Sequence, residues 1–282
     1  MADTLQLPQP TWFVGCGNMG GALLDGWRTG GLDLGNVTVI RPSGRPVEGT
    51  RTVTSAADAG APPKLVALAM KPQKLDEVAP ELRRFLSANT VIVSLLAGVE
   101  VESLRQRFPG AGSIVRAMPN LPVAVRRGVT GLYSSDADAE TERRINDLFS
   151  ALGFAMWMAD ESKLSALGSV AGAGPAYVAR FIDALSKAGQ KRGLTDEVAA
   201  IIARETVLGT SWMAASTGES MESVAKRVAS PRGTTEAGLA VLDRDDVLDD
   251  LIAVTIEAAA RRGAELAEEA RAPSLVESAR LS

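Results

Sequence analysis

Along the first half of the chain, short unbroken apolar runs alternate with longer segments whose apolar residues recur every three or four positions. Thr11-Trp12-Phe13-Val14, Val37-Thr38-Val39-Ile40, Leu65 to Ala69 and Val91 to Leu95 read as strands buried on both faces, the signature of a parallel sheet. Ser113 to Ala117, Val129 to Tyr133 and Ala155 to Trp157 are further predicted strands. Asn18 to Arg28 predicts a helix with Met19, Ala22, Leu23 and Trp27 on one side. Another starts near Lys74, just behind Pro72, with Leu75, Val78, Ala79, Leu82, Phe85 and Leu86 at helical spacing. A third covers Asp138 to Leu152. This alternation predicts an α/β fold, a Rossmann-like doubly wound sheet over residues 1–161.

From about Ser162 the pattern changes to long alanine-rich helical segments: Ala176 to Lys191, Asp196 to Ala215, Met221 to Val228, Thr235 to Leu242 and Val247 to Glu269. Gly193 predicts the end of one helix and Thr195-Asp196-Glu197-Val198 the capped start of the next. Ala199 to Ala215 is apolar on more than one face, more than a small monomeric domain covers. Residues 162–271 are therefore expected to form an all-α dimerisation and substrate domain, and 272–282 a loose C-terminal tail.

Composition removes whole classes of function. The chain has 282 residues and no histidine, which excludes a Ser-His-Asp triad, a Cys-His pair, an imidazole proton shuttle and any histidine-ligated metal. Its lone cysteine, Cys16, forms neither an internal disulfide nor a thiolate cluster, so no metal site is expected and a reducing compartment fits. No basic region followed by an apolar run opens the chain, which makes the cytoplasm the expected location. The longest uncharged stretch, Leu164 to Ala179, is too short for a bilayer, and a net charge of -4 without a basic patch predicts no nucleic-acid partner.

The candidate chemistry starts at Gly15-Cys16-Gly17-Asn18-Met19-Gly20, a G-x-G-x-x-G directly after a predicted strand and at the opening of a helix. Such glycines permit a tight turn and let backbone N–H groups approach a dinucleotide pyrophosphate. At the end of the second strand, where an NAD site would carry an acidic residue, the chain reads Ile40-Arg41-Pro42-Ser43. A guanidinium and a hydroxyl there suit a 2′-phosphate, so NADPH is the expected cofactor, with NADH an alternative and Arg45 a second candidate cation.

Five stretches in order then resemble the pyrroline-5-carboxylate reductase family: Phe13 to Met19, Ala69-Met70-Lys71-Pro72-Gln73, Arg116-Ala117-Met118-Pro119-Asn120, Gly172 to Tyr177 and Ser230-Pro231-Arg232-Gly233-Thr234-Thr235. The resemblance implies NAD(P)H-dependent reduction of the cyclic imine 1-pyrroline-5-carboxylate to L-proline. It implies that Gly15, Cys16, Gly17, Asn18, Met19, Arg41, Ser43, Ala69, Met70, Lys71, Pro72, Leu95, Leu96 and Ala97 bind the cofactor. Ser230, Gly233 and Thr234 would hold the substrate carboxylate, Thr235 would offer its hydroxyl to the ring nitrogen as the catalytic residue, and Glu161 would lie near the bound ring. Pro175 is read as a helix kink, and Met118-Pro119-Asn120 as a turn near the nicotinamide. A homodimer through the helical domain is implied, with rings of dimers known among related enzymes.

Two departures bear on the substrate. Ala171 and Ala173 replace the family's usual serines, and Arg232 replaces the first glycine of Ser-Pro-Gly-Gly. They keep open a reductase of another cyclic imine and a non-catalytic NADPH-binding protein; a related 3-hydroxyacid dehydrogenase is a further alternative, although Lys163, Lys187 and Lys191 do not sit in that family's lysine motif.

Overall fold

Phe13 stands beside Val39 on one side and Ala67 on the other, in register within three neighbouring parallel strands. In the computed structural model, which describes residues 5–271, the strands are β1 (Thr11–Val14), β2 (Val37–Ile40), β3 (Arg51–Val53), β4 (Leu65–Leu68), β5 (Val91–Ser94), β6 (Ser113–Pro119), β7 (Gly128–Tyr133) and β8 (Gly153–Trp157). Their spatial order is β3-β2-β1-β4-β5-β6-β7-β8, with β7 antiparallel to β6 and every other pairing parallel. The chain builds outward from β1 in one direction and then in the other, so the sheet reverses between β1 and β4.

Helices cover both faces, as the apolar runs require. One core joins Phe13, Val39, Ala67 and Val93 to Leu23 and Trp27 of α1 (Asn18–Thr29), and to Leu148 and Phe149 beyond it. The opposite core joins Trp12, Val66, Leu68 and Ile92 to α2 (Leu75–Leu82) and α3 (Val101–Arg107). Pro72 opens a single 3₁₀ turn ahead of α2, where its missing N–H costs nothing. The helix α4 (Ala139–Ser150) supplies Leu148 and Phe149 and is capped by Asp138, whose carboxylate accepts from Thr141 N–H at 2.8 Å. That bond holds the Asp138 carboxyl below its ordinary value.

The sequence pattern does not predict three elements that the structure contains, β3, α3 and α5 (Glu161–Leu167), the last capped by Asp160, whose carboxylate accepts from Lys163 N–H. A π-helical turn, Gly168–Gly172, follows α5. The expected kink at Pro175 is corrected: α6 (Gly174–Lys191) begins one residue earlier, so the ring sits in a first turn and interrupts no ladder.

The described residues sort into two compact units, one comprising 5–173 together with 259–271, the other Gly174–Ala258. The second unit contains α6, α7 (Asp196–Thr217), α8 (Met221–Val228), α9 (Thr234–Leu242) and the start of α10 (Val247–Arg271). Thr195 caps α7 and Ser220 caps α8. Small residues are buried in this unit, Ser186, Ala199 and Ala203 among them, while Phe181, Ile202, Trp212, Leu251 and Val254 stay exposed. The expected surplus of apolar faces is therefore present on the single chain. Among the described residues no helix is long and apolar enough to cross a membrane. The predicted tail 272–282 lies outside the described residues.

Candidate active site

The reversal of strand order opens a crevice at the carboxyl ends of β1 and β4, the place where doubly wound sheets bind ligands. Gly15 enters it from β1 with its N–H on the Ile40 carbonyl at 2.8 Å and a φ of +81°. A Cβ there would stand 2.8 Å from Met70 Cβ and 2.9 Å from Met70 N and Cα, so only glycine fits. Gly17 is the N-cap of α1 and contributes no side-chain cap; the space where its Cβ would project is open to at least 4 Å. The first N–H groups of α1 consequently face that space without a capping acceptor, an arrangement made for an anion. Gly20 lets α1 approach β4, its Cβ position being 3.0 Å from Ala69 Cβ.

Asn18 is exposed at this helix start, and Cys16 and Met19 are half-buried. Burial pushes the Cys16 thiol up; the positive charge of Arg41 pulls it down, and Asp25 adds a further upward push. Arg41 thus acts electrostatically on the glycine loop from the end of β2. Its backbone is fixed by Arg41 N–H on the Val53 carbonyl, at 2.9 Å, which is what β3 contributes. Arg51 is occupied by the carbonyls of Asp58 and Ala59, whereas Arg41 forms no ion pair among the described residues. Ser43 is exposed two residues on, its Oγ accepting from Arg45 N–H at 3.4 Å.

Ala69 and Met70 leave β4 half-buried, with Ala69 N–H on the Val14 carbonyl at 2.8 Å. Lys71 is exposed in extended backbone and Pro72 half-buried behind it. From β5, Leu95 N–H reaches the Leu68 carbonyl at 3.0 Å; Leu95 is half-buried, Ala97 exposed and Leu96 buried in the core on the α2 face. Of these three, Leu96 has only its backbone to offer a ligand. The sequence-predicted cofactor residues thus converge on the ends of β1, β2, β4 and β5.

Ser230, Gly233, Thr234 and Thr235 lie in the helical unit. Gly233 N–H donates to the Ser230 carbonyl at 2.9 Å and Gly233 is the N-cap of α9, with no side-chain cap. A Cβ on Gly233 would stand 2.9 Å from the Ser230 oxygen. Ser230 and Thr234 are exposed and Thr235 half-buried, and none of the three hydroxyls is hydrogen-bonded among the described residues. Arg232 occupies left-handed backbone, φ +58°, held by its N–H on Glu236 Oε2 at 2.6 Å. Its guanidinium forms no ion pair among the described residues and is exposed.

Glu161 belongs to neither group. Its Oε1 accepts from Arg116 at 2.7 Å and from Val101 N–H at 2.9 Å. Asn120 is buried and engaged on both sides of its amide, donating to the Ala171 carbonyl at 3.1 Å and accepting from Val129 N–H at 2.8 Å. Arg116 is the residue of this cluster that the motifs do not single out; an arginine inside an otherwise apolar strand run is the signal that it needs a buried partner.

Residues 161–266 match the family described as pyrroline-5-carboxylate reductase dimerisation, and residues 12–98 the family described as NADP oxidoreductase, coenzyme F420-dependent. The chain is 34% identical to the pyrroline-5-carboxylate reductase of Pseudomonas aeruginosa, over 91% of this chain and 96% of that one. Among solved structures, a pyrroline-5-carboxylate reductase from Coxiella burnetii is 30% identical with a TM-score of 0.83, covering 92% of this chain and 99% of that one. The NADP-bound pyrroline carboxylate reductase of Plasmodium falciparum is 23% identical with a TM-score of 0.84, covering 94% of this chain and 100% of that one, a likeness of fold.

Proposed function

The chain belongs to the pyrroline-5-carboxylate reductase family, and from that premise we propose that it reduces 1-pyrroline-5-carboxylate to L-proline with NADPH, the last step of proline biosynthesis. The observation that carries the cofactor half is the uncapped start of α1 behind Gly15, at the point where the strand order reverses. The open space before Gly17, and an arginine at the end of β2 that forms no ion pair among the described residues, fit a dinucleotide with a 2′-phosphate.

When bound, NADPH supplies the hydride for the C=N carbon. The chain's own residues bind and orient. Backbone N–H groups at Gly17, Asn18 and Met19 take the pyrophosphate, with Gly15 and Cys16 forming the turn that presents them. Arg41 and Ser43 take the 2′-phosphate. Ala69 to Pro72 and Leu95 to Ala97 line the nicotinamide half. Ser230, Gly233 and Thr234 grip the imine carboxylate at the start of α9, and the Thr235 hydroxyl orients the ring nitrogen. Reduction of a protonated imine forms one C–H bond and leaves the nitrogen as an amine, so no leaving group waits for an acid. A chain without histidine is equipped for that reaction.

In this reading residues 1–161 bind the dinucleotide and 162–271 bind substrate and form a cytoplasmic homodimer, which rings of dimers extend. The exposed Phe181, Ile202 and Trp212 supply apolar surface for the pairing.

The test is NADPH oxidation by the purified protein with 1-pyrroline-5-carboxylate, beside NADH and beside pyrroline-2-carboxylate. Turnover on the first with proline as product establishes the function; preference for the second transfers the site to another cyclic imine. In the same assay Thr235→Ala should lower kcat/KM by roughly 10- to 100-fold, the effect of one hydrogen bond to a charged group, with NADPH affinity unchanged. Unaltered kinetics remove Thr235 from the site.

Arg232→Gly separates backbone from charge. Left-handed backbone costs a residue with a Cβ about 1 kcal/mol, which glycine relieves while making the unfolded chain freer, so the unfolding midpoint should barely move. The imine KM should rise a few-fold and lose part of its salt dependence, because an exposed cation beside the carboxylate grip is gone. An unchanged KM at low salt assigns Arg232 to solvent.

A further inference from the structure

Six residues, Leu95 to Glu100, connect β5 to α3, and the proposed cofactor-lining part is Leu95 to Ala97. The structure anchors this segment at three points. At its start, Leu95 N–H bonds to the Leu68 carbonyl. In its middle, Gly98 has a φ of +76°, and a Cβ on it would stand 2.9 Å from Ala267 N and 3.0 Å from Ala267 Cα, so the backbone of α10 rests directly on it. At its end, the N–H of Val101 is held by Glu161 Oε1 at 2.9 Å.

The third anchor is itself anchored. The same oxygen accepts from Arg116 at 2.7 Å, and the Arg116 side chain is only 4% exposed within β6, against 25% for Glu161. A guanidinium buried in a sheet stays charged and requires an acid beside it. Arg116 therefore fixes where the Glu161 carboxylate sits, and the carboxylate fixes where α3 begins. A negative charge there also complements the unpaired N–H groups of a helix start.

We propose that Glu161 is a positioning residue for the cofactor-lining segment, acting through Val101 N–H with Arg116 as its counter-ion, and that it is not a ligand of the imine. The inference rests on the reading that Leu95 to Ala97 line NADPH. With the Glu161 acceptor removed, the segment is released at one end and must be ordered when the dinucleotide binds, which weakens binding without touching the carboxylate grip.

The experiment measures NADPH affinity by fluorescence titration and the imine KM at saturating NADPH for wild type, Glu161→Ala and Arg116→Met/Glu161→Ala, both of which remove the acceptor for Val101 N–H. The double variant leaves no unpaired buried charge and serves if the single variant does not fold. The expected result is an NADPH Kd raised roughly tenfold with the imine KM unchanged. A raised imine KM at an unchanged Kd would overturn the proposal in favour of a substrate ligand. A lower melting temperature with Kd and KM both unmoved would overturn it in favour of a purely structural pair. Wild-type protein that binds no NADPH defeats the cofactor reading itself and this inference with it, a pattern distinct from either.

Discussion

Gly15→Ala is expected to bind NADPH about 100-fold more weakly than wild type, a loss of roughly 3 kcal/mol. Two contributions add. At φ +81° the Cβ of any L-residue meets its own following carbonyl, which costs about 1–2 kcal/mol. The new methyl also lands 2.8 Å from Met70 Cβ and 2.9 Å from Met70 N and Cα. That neighbour is main chain and cannot turn aside. It is held from behind by Ala69 N–H on the Val14 carbonyl, at 2.8 Å, and continues through Lys71 into the rigid Pro72. The loop must therefore retreat from β4, and the N–H groups at the start of α1 retreat with it. Gly17→Ala is the informative partner: its φ is -84°, nothing lies within 4 Å of the added carbon, and so folding is untouched while a methyl enters the space assigned to the ligand. Isothermal titration with NADPH reads both. If Gly15→Ala keeps wild-type affinity, the dinucleotide is held elsewhere.

Why this loop was legible in the sequence, when other parts were not, is a matter of which interactions are local. Thr11 to Val14 followed by three spaced glycines and an amphipathic stretch specifies strand, turn and helix from neighbouring residues alone, and β1 and α1 lie where those residues put them. The same holds for Thr195 and the start of α7, since a cap is a contact across three residues. β3 escaped because it is three residues long, Arg51-Thr52-Val53, without alternation, and exists only because β2 offers it an edge. α3 escaped because Val101–Arg107 spans two turns and its N–H anchor is a carboxylate sixty positions away. α5 has a readable cap in Asp160 but is only seven residues long and runs into Gly168, Gly172 and Gly174, and Pro175 reads as a kink. Structure replaced the kink with a π turn and a fresh helix start. Individual site residues divide the same way: the crevice set converges because consecutive strand ends must, whereas the partners of the Glu161 carboxylate, Arg116 and Val101, are distant in sequence and no local pattern announces them.

Trp27→Ala is expected to destabilise the sheet-bearing unit by about 3–5 kcal/mol, the usual cost of emptying a large aromatic site in a core. Trp27 is 3% exposed and stands edge-on to two other rings, Phe13 at 6.1 Å and Phe149 at 5.9 Å, so it joins β1, α1 and α4 at once. Its Nε1 donates to the Leu148 carbonyl at 2.8 Å, and truncation leaves that buried oxygen short of a donor. Relaxation into the gap is restricted next door, where Gly26 is so tight that a Cβ would come within 2.2 Å of the Val123 carbonyl oxygen. Trp27→Phe keeps much of the ring packing and removes the donor, and should cost about 1–3 kcal/mol. Urea unfolding midpoints at unchanged m-value measure both, and a cost below about 1 kcal/mol for Trp27→Ala would mean the core closes over the gap. The same measurement tests whether α1 transmits its docking to the crevice. NADPH at 100 times its Kd should raise the stability of wild type by about 2.7 kcal/mol. Trp27→Phe should gain the same increment if the glycine loop is set only by Met70 and Ile40. A smaller increment would show that the seat of α1 against Phe13 and Phe149 also holds its N-terminus in place for the pyrophosphate.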